Sequence, residues 1–371
     1  MNVLILTKTF PETADDWGGV FVREQAEAIA AGHEVTVVKC GVDYNRFSPF
    51  FRSATHSNPA NSYNYFRIVV SKSFPVYNQF NFIIAVYFAL LRIIKKNKPD
   101  IIHCHYSFPA GIVAWLIRLR TGIPYLVTEH SRIKSTFRSV IHKYLSLLAL
   151  RKSSLVIAVS NSLKKELINE RIIKVQVVPN VINTDRFFLA LRSANPFTIG
   201  FLGSLNTTNK GLDILLSACR DLPFRYTLKI GGAGIYQQYY KDLALNENMG
   251  DKTIFYGAVS PDRINSFYSD ISLFVLPSRY ETFGIVLIEA MASGIPVAAT
   301  RCGGPEDIVT GKTGILTEVD DFVMMREAII KIYSNYSEYN AEEIRDYVKN
   351  NFGYMPFLKR INSIYNQCLS K

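Results

Sequence analysis

Cysteine is scarce in this chain of 371 residues: Cys40, Cys104, Cys219, Cys302 and Cys368 are scattered, odd in number and never spaced as CxxC. That excludes a disulfide framework or zinc knuckle and makes a reducing, cytoplasmic compartment the expectation. Long hydrophobic runs are missing too. The longest, FIIAVYFALL from Phe82 to Leu91, is too short for a bilayer core, which needs about 20 residues, and reads as a core helix. Met1-Asn2 leads straight into VLILT, with no basic segment or cleavage site, so no secretory leader is expected. No D-x-D pair bridges a metal to a diphosphate, and His103-Cys104-His105 has no second ligand cluster beside it in sequence; no metal is expected. Neither G-x-G-x-x-G nor the P-loop spacing occurs, so the common dinucleotide and triphosphate fingerprints are absent.

What is present is a globular composition, 48% hydrophobic, in a chain long enough for two cores. The net charge of +11 suits phosphorylated substrates, an anionic membrane or nucleic acid, without choosing among them. Apolar strand-like runs alternate with helical stretches: VLIL, VTVV, IIH, Pro124 to Val127 and Leu155 to Val159 in the first half. The pattern restarts after Val178-Pro179-Asn180 with FTIGFLG, YTLKIGGAG, TIFYG, ISLFVLP and PVAAT. Near-continuous apolar strands between helices imply parallel sheets covered on both faces. The expectation is α/β, with two doubly wound Rossmann-like domains facing across an interdomain cleft. Residues 1–180 form the first, 195–352 the second, and 353–371 a Pro356-started helix.

In such sheets ligands bind beyond the carboxyl ends of the strands. Gly18-Gly19, His103 and His105, Gly203 to Gly211, Gly231 to Gly234, Glu281 and Gly303-Gly304 all fall there. Glu281 and Glu289 are eight positions apart, which on one helix would separate them by about 80°. The conflict resolves if Glu281 precedes the helix and Glu289 lies a turn inside it. Amides of Phe283, Gly284 and Ile285 then open the helix, where N–H groups without partners suit phosphate oxygens. Taken alone, Glu281 also reads as a charge complementing the helix dipole, Lys210 as a solvated loop lysine, and Gly18-Gly19 as an ordinary turn.

Together these residues resemble a retaining GT-B glycosyltransferase of glycosyltransferase family 4, group 1. The motifs that carry the resemblance are E-x7-E enclosing Phe283-Gly284, MASGIPVAATRCGGPEDIV, VPNVINTDRF, the loop ending Lys210-Gly211, HCHY and the first-loop Gly-Gly. The resemblance implies a hexosyltransferase with a nucleotide-diphosphate sugar, of UDP or GDP type, as donor and no other cofactor. It implies Glu281 on the donor sugar hydroxyls, Glu289 on the ribose, and Gly18, Gly19, Gly203 and the amides of Phe283, Gly284 and Ile285 on the diphosphate. Lys210 would offset charge on the leaving nucleotide, His105 would sit by the transferred sugar, and Glu306 would line the pocket. It also implies an acceptor-side first domain, a donor-binding second domain, and a final helix packed back on the first. The family's arginine after the glycine ending the second domain's first strand is here Ser204, which the resemblance still places at the donor; a basic phosphate contact is therefore either missing or supplied elsewhere, by Arg279 or Lys8.

HSRIKSTFRSVIHKYLSLLAL, from His130 to Leu150, carries Arg132, Lys134, Arg138, His142 and Lys143 against Phe137, Val140, Ile141, Tyr144, Leu145 and Leu148. It reads equally as a basic amphipathic helix over 132–152 for an anionic membrane surface and as a core helix with a solvated basic face. The segment Asp43 to Ser73 is expected to be a loop reaching a saccharide or lipid-linked acceptor, which suits surface polysaccharide or glycoconjugate synthesis at the inner membrane face. Two other readings are a sugar-nucleotide epimerase on the same scaffold and a basic nucleic-acid-binding module. The acidic and glycine-rich motifs disfavour the second, and nucleic acid is not an expected partner.

Overall fold

The computed structural model describes all residues except 14–15, 48–52, 60–61, 73–77, 133–138, 192–195 and 371. Two compact units emerge. One comprises Met1–Glu12, Gly18–Val181 and Met355–Lys371, the other Thr13–Trp17 and Ile182–Tyr354.

The first unit runs β1 (Asn2–Thr7), α1 (Val20–Ala30), β2 (Glu34–Phe47), β3 (Ser53–Pro59), β4 (Asn64–Lys72), α2 (Asn78–Asn97), β5 (Ile101–His105), α3 (Ile112–Thr121), β6 (Tyr125–Glu129), α4 (Val140–Lys152), β7 (Val156–Ala158), α5 (Asn161–Asn169) and β8 (Val175–Val177). Its sheet order is β3-β4-β2-β1-β5-β6-β7-β8. The described pairings are parallel except β3 with β4. Val3, Leu4, Ile5 and Leu6 are all buried, as a strand covered on both faces requires. On α2 the buried residues Phe82, Val86, Ala89, Leu90 and Ile93 recur at helical spacing, so the apolar run is a core-facing helix.

The segment expected as a loop between Asp43 and Ser73 instead holds the end of β2, then β3 and β4. The aromatic and β-branched run of NYFRIVVSK favours strand, and an antiparallel pair needs only a short connection.

The second unit contains β9 (Phe197–Leu202), α6 (Leu212–Cys219), β10 (Tyr226–Gly231), α7 (Gln237–Asn246), β11 (Thr253–Gly257), α8 (Ile264–Tyr268), β12 (Leu273–Leu276), α9 (Ile285–Ala292), β13 (Val297–Thr300), β14 (Gly314–Thr317), α10 (Phe322–Ser334) and α11 (Ala341–Phe352). Its sheet order is β11-β10-β9-β12-β13-β14, parallel throughout the described pairings. Side-chain caps fix helix starts: Asp321 accepts from Met324 N–H, and Asn340 from those of Glu342 and Glu343.

The last helix, α12 (Tyr354–Leu369), belongs to the first unit from Met355 onward. It buries Phe357, Ile361, Ile364, Tyr365 and Cys368 along one stripe. Tyr365 Oη lies 2.8 Å from His103 Nδ1 on β5.

Candidate functional site

In the second unit, a short turn, Thr208–Lys210, follows β9 and is laced to the segment after β12. The Arg279 amide donates to the Asn209 carbonyl at 2.8 Å, and Asn209 Nδ2 donates to the Tyr280 carbonyl at 2.9 Å. Between these links Lys210 Nζ meets Glu281 Oε1 at 2.5 Å, and Ser278 Oγ donates to the same oxygen at 2.9 Å. The Glu281 backbone is fixed by its amide on the Cys302 carbonyl and by the Gly304 amide on its own carbonyl. Glu281 is 8% exposed, so its carboxylate depends on these partners. Glu281 thus precedes the helix, as its spacing from Glu289 required.

The helix start is built by Gly284, whose φ of 101° is a conformation that L side chains rarely adopt. Phe283 is buried, its ring 5.9 Å from that of Phe352. Ile285 opens α9, and the amides here belong to the first turn, which leaves donors without intrahelical acceptors. Glu289 sits in the second turn, and helical side chains lean toward the N-terminus. Its Oε2 accepts from Tyr268 Oη at 3.2 Å. Lys210, Glu281, the α9 start and Glu289 therefore share one stretch of the unit's strand-end edge. Glu306 is exposed and accepts from the Gly303 amide at 2.9 Å, closing its own turn.

Ser204 does not stand in for a basic contact. Its Oγ accepts from Asn206 Nδ2 at 3.2 Å, and Asn206 Oδ1 accepts from the Ile235 amide, so the hydroxyl serves the local turn. The Gly203 amide donates to the Gly231 carbonyl. Arg279 is no replacement either. Its guanidinium is bidentate on Asp213 (3.1 and 2.7 Å), pairs with Asp320 at 2.7 Å and donates to the Thr208 carbonyl. These carboxylates hold the guanidinium well above its ordinary pKa. Through these partners Arg279 braces the Lys210 turn.

In the first unit, Gly18 and Gly19 precede α1. Gly19 has φ 87°, and a Cβ there would lie 2.5 Å from the Thr9 carbonyl oxygen. Lys8 is exposed, with its ammonium 5.0 Å from the centre of the Tyr106 ring. His103, His105 and His130 stack nearly parallel, with centroids 4.8 and 5.2 Å apart. His105 Nδ1 lies 2.9 Å from His130 Nε2, while His105 Nε2 and His130 Nδ1 have no hydrogen-bond partner among the described residues. Burial pushes His103 and His130 down to about 3 and His105 well below the ordinary histidine range, so all three are neutral at pH 7. Beside them Glu129 is buried and accepts from the Ser107 amide at 2.6 Å; burial raises its pKa. His130 lay unconnected in the sequence, yet parallel pairing of His105 with Thr128 brings a residue two positions beyond Thr128 to the same edge. Among the described residues no group of three or more His, Cys, Asp or Glu is placed to hold a metal ion.

A narrow hollow with room for about one water opens at the same edge, lined by Thr7, Lys8, Cys40, Phe82, Val86 and Val113 among others. The helix expected over 132–152 begins at Val140, with Ser139 accepting from the His142 amide as its cap. Lys134, Phe137 and Arg138 lie outside the described residues. The face turned inward carries Ser146, Leu147, Ala149 and Leu150, whereas Val140, Ile141 and Tyr144 are exposed. Arg132 pairs with Glu166 and Lys143 with Glu170. No helix among the described residues is long and apolar enough to cross a membrane.

Residues 183–351 match the family described as glycosyl transferases group 1, and residues 18–186 match glycosyltransferase family 4. An uncharacterized glycosyltransferase of Methanocaldococcus jannaschii is 29% identical over 277 residues, 73% of this chain and 77% of that protein. The solved sucrose-phosphate synthase of Thermosynechococcus elongatus superposes with a TM-score of 0.80 at 21% identity over 100% of both chains. HepE of Anabaena, solved in complex with UDP and glucose, gives a TM-score of 0.75 at 18% identity over 99% of each. These likenesses establish a GT-B fold.

Proposed function

The chain belongs to the group 1 glycosyltransferases with a GT-B fold, and from that premise we propose a retaining hexosyltransferase that uses a nucleotide-diphosphate sugar. The observation that carries the reading is the meeting of Lys210 with Glu281 beside the α9 start. A cation, a carboxylate and first-turn amides match the charge, hydroxyls and diphosphate of one donor. UDP in the HepE structure favours a UDP donor over a GDP one, with no other cofactor.

In the proposed step the acceptor oxygen attacks the anomeric carbon on the face that the nucleotide leaves. The bond from that carbon to the β-phosphate oxygen breaks, and the phosphate oxygen takes the acceptor's proton. Lys210 and the amides of Phe283 to Ile285 stabilise the departing charge. Glu281 holds the sugar hydroxyls, Glu289 the ribose, and Gly203 allows close approach of backbone to diphosphate. In the first unit, the neutrality of His105 and His130 suits hydrogen bonding to hydroxyls.

The acceptor in this reading is a lipid-linked glycan at the inner face of the cytoplasmic membrane. Support comes from the exposed ridge of Val140, Ile141 and Tyr144. Because Arg132 and Lys143 are already paired with glutamates, docking rests on apolar contact more than on charge. Product analysis tests the reaction. With donor and acceptor the enzyme yields a glycoside with the donor's anomeric configuration; conversion of the donor sugar to its epimer without acceptor would refute transfer. Sedimentation with anionic and neutral vesicles tests the membrane part, which fails if neither carries the protein down.

A further inference from the structure

Glu289 is 7% exposed on α9, and a buried carboxylate takes its direction from its donors. One donor comes from a separate helix. Tyr268 ends α8, is fully buried, and is packed by the rings of Phe267 at 5.6 Å and Phe274 at 5.7 Å. Its Oη lies 3.2 Å from Glu289 Oε2 and 3.3 Å from the Val286 carbonyl oxygen. The single phenolic hydrogen therefore stands between two acceptors in the first and second turns of α9. The phenol thereby ties the Glu289 carboxylate to the α9 backbone. Burial and the Glu289 charge push the phenol well above its ordinary pKa, so it stays a donor.

We propose that Tyr268 is a positioning residue that aims the Glu289 carboxylate at the ribose diol of the nucleotide, making the site selective for ribonucleotides. This rests on the reading of Glu289 as the ribose contact. The packed ring fixes the phenol, the phenol fixes one carboxylate oxygen, and the carboxylate then meets two hydroxyls at a defined angle.

Titration calorimetry of the full chain with UDP and GDP, each beside its 2′,3′-dideoxy analogue, tests it. Wild type is expected to prefer one ribonucleotide over its analogue about tenfold or more, the worth of a hydrogen bond to a charged group. Tyr268→Phe keeps the ring and is expected to lose that preference, with ribonucleotide affinity falling about tenfold and dideoxy affinity unchanged. In a Glu289→Ala background, adding Tyr268→Phe is expected to change nothing further. Equal weakening of both nucleotides, or a preference that survives Tyr268→Phe, overturns the role of Tyr268. A preference that survives Glu289→Ala, or no binding of either nucleotide to wild type, overturns the ribose reading beneath it.

Discussion

Lys210 Nζ and Glu281 Oε1 lie 2.5 Å apart, so the cation and carboxylate of this edge are each other's counterions. If Lys210 stabilises a leaving phosphate, Lys210→Ala lowers kcat/KM about 10²-fold or more, the scale of one lost transition-state donor. Steady-state kinetics with the identified donor checks this; an unchanged value removes the charge role.

Glu281→Ala is expected to lower kcat by about 10²-fold, because positioning of a reacting sugar is usually worth that much. Since Glu281 touches Lys210, the double variant should lose less than the product of the single losses. Strict multiplication would mean that the two act independently.

Arg279 holds the Lys210 turn through Asp213, Asp320 and the Thr208 carbonyl. Arg279→Ala should lower unfolding free energy by about 1–3 kcal/mol and reduce kcat/KM as well. Arg279→Lys should not restore it, since an ammonium cannot reproduce the bidentate fork. Urea unfolding beside kinetics reads both; an unaffected Arg279→Ala would discard the brace.

Gly19→Ala should destabilise by about 1–3 kcal/mol, because φ is 87° and the new Cβ would meet the Thr9 carbonyl at 2.5 Å. An unchanged melting temperature would show that the loop relaxes freely.

The three stacked histidines make stability sensitive to acid. Their folded pKa values lie below the ordinary 6.5, with His103 and His130 at about 3. The unfolded chain therefore binds more protons, and the stabilisation, complete above about pH 6.5, is lost as pH falls toward 3. Glu129 works oppositely: its raised pKa favours the folded state as pH drops toward the carboxylate range. Urea midpoints should fall between pH 7.5 and 5.5, and His103→Gln should flatten that slope. A midpoint flat with pH would contradict the burial of the three rings.

Much of this was legible in sequence because local signals agree. Continuous apolar strands between helices gave the parallel sheets, and the eight-residue spacing put Glu281 before a helix and Glu289 inside it. What was hidden depends on pairing between distant strands. Nothing local joins Arg279 to Asp213, or His105 to His130; sheet register does. The apolar face of α4 stayed open between two readings because residue spacing is identical for an inward and an outward stripe, and only packing turns Leu147 and Leu150 inward while Val140 and Tyr144 stay exposed. Asp43 to Ser73 looked like a loop because edge strands tolerate the polar residues that central strands exclude.

The central claim is that Lys210, Glu281 and the α9 start hold a nucleotide-diphosphate sugar. Thermal denaturation against a panel of UDP- and GDP-sugars tests it most directly. The account predicts that one donor at 100 Kd adds about 2.7 kcal/mol of stability, and that Lys210→Ala and Glu281→Ala reduce the gain. No stabilisation by any nucleotide sugar, or an equal gain in both variants, would contradict it.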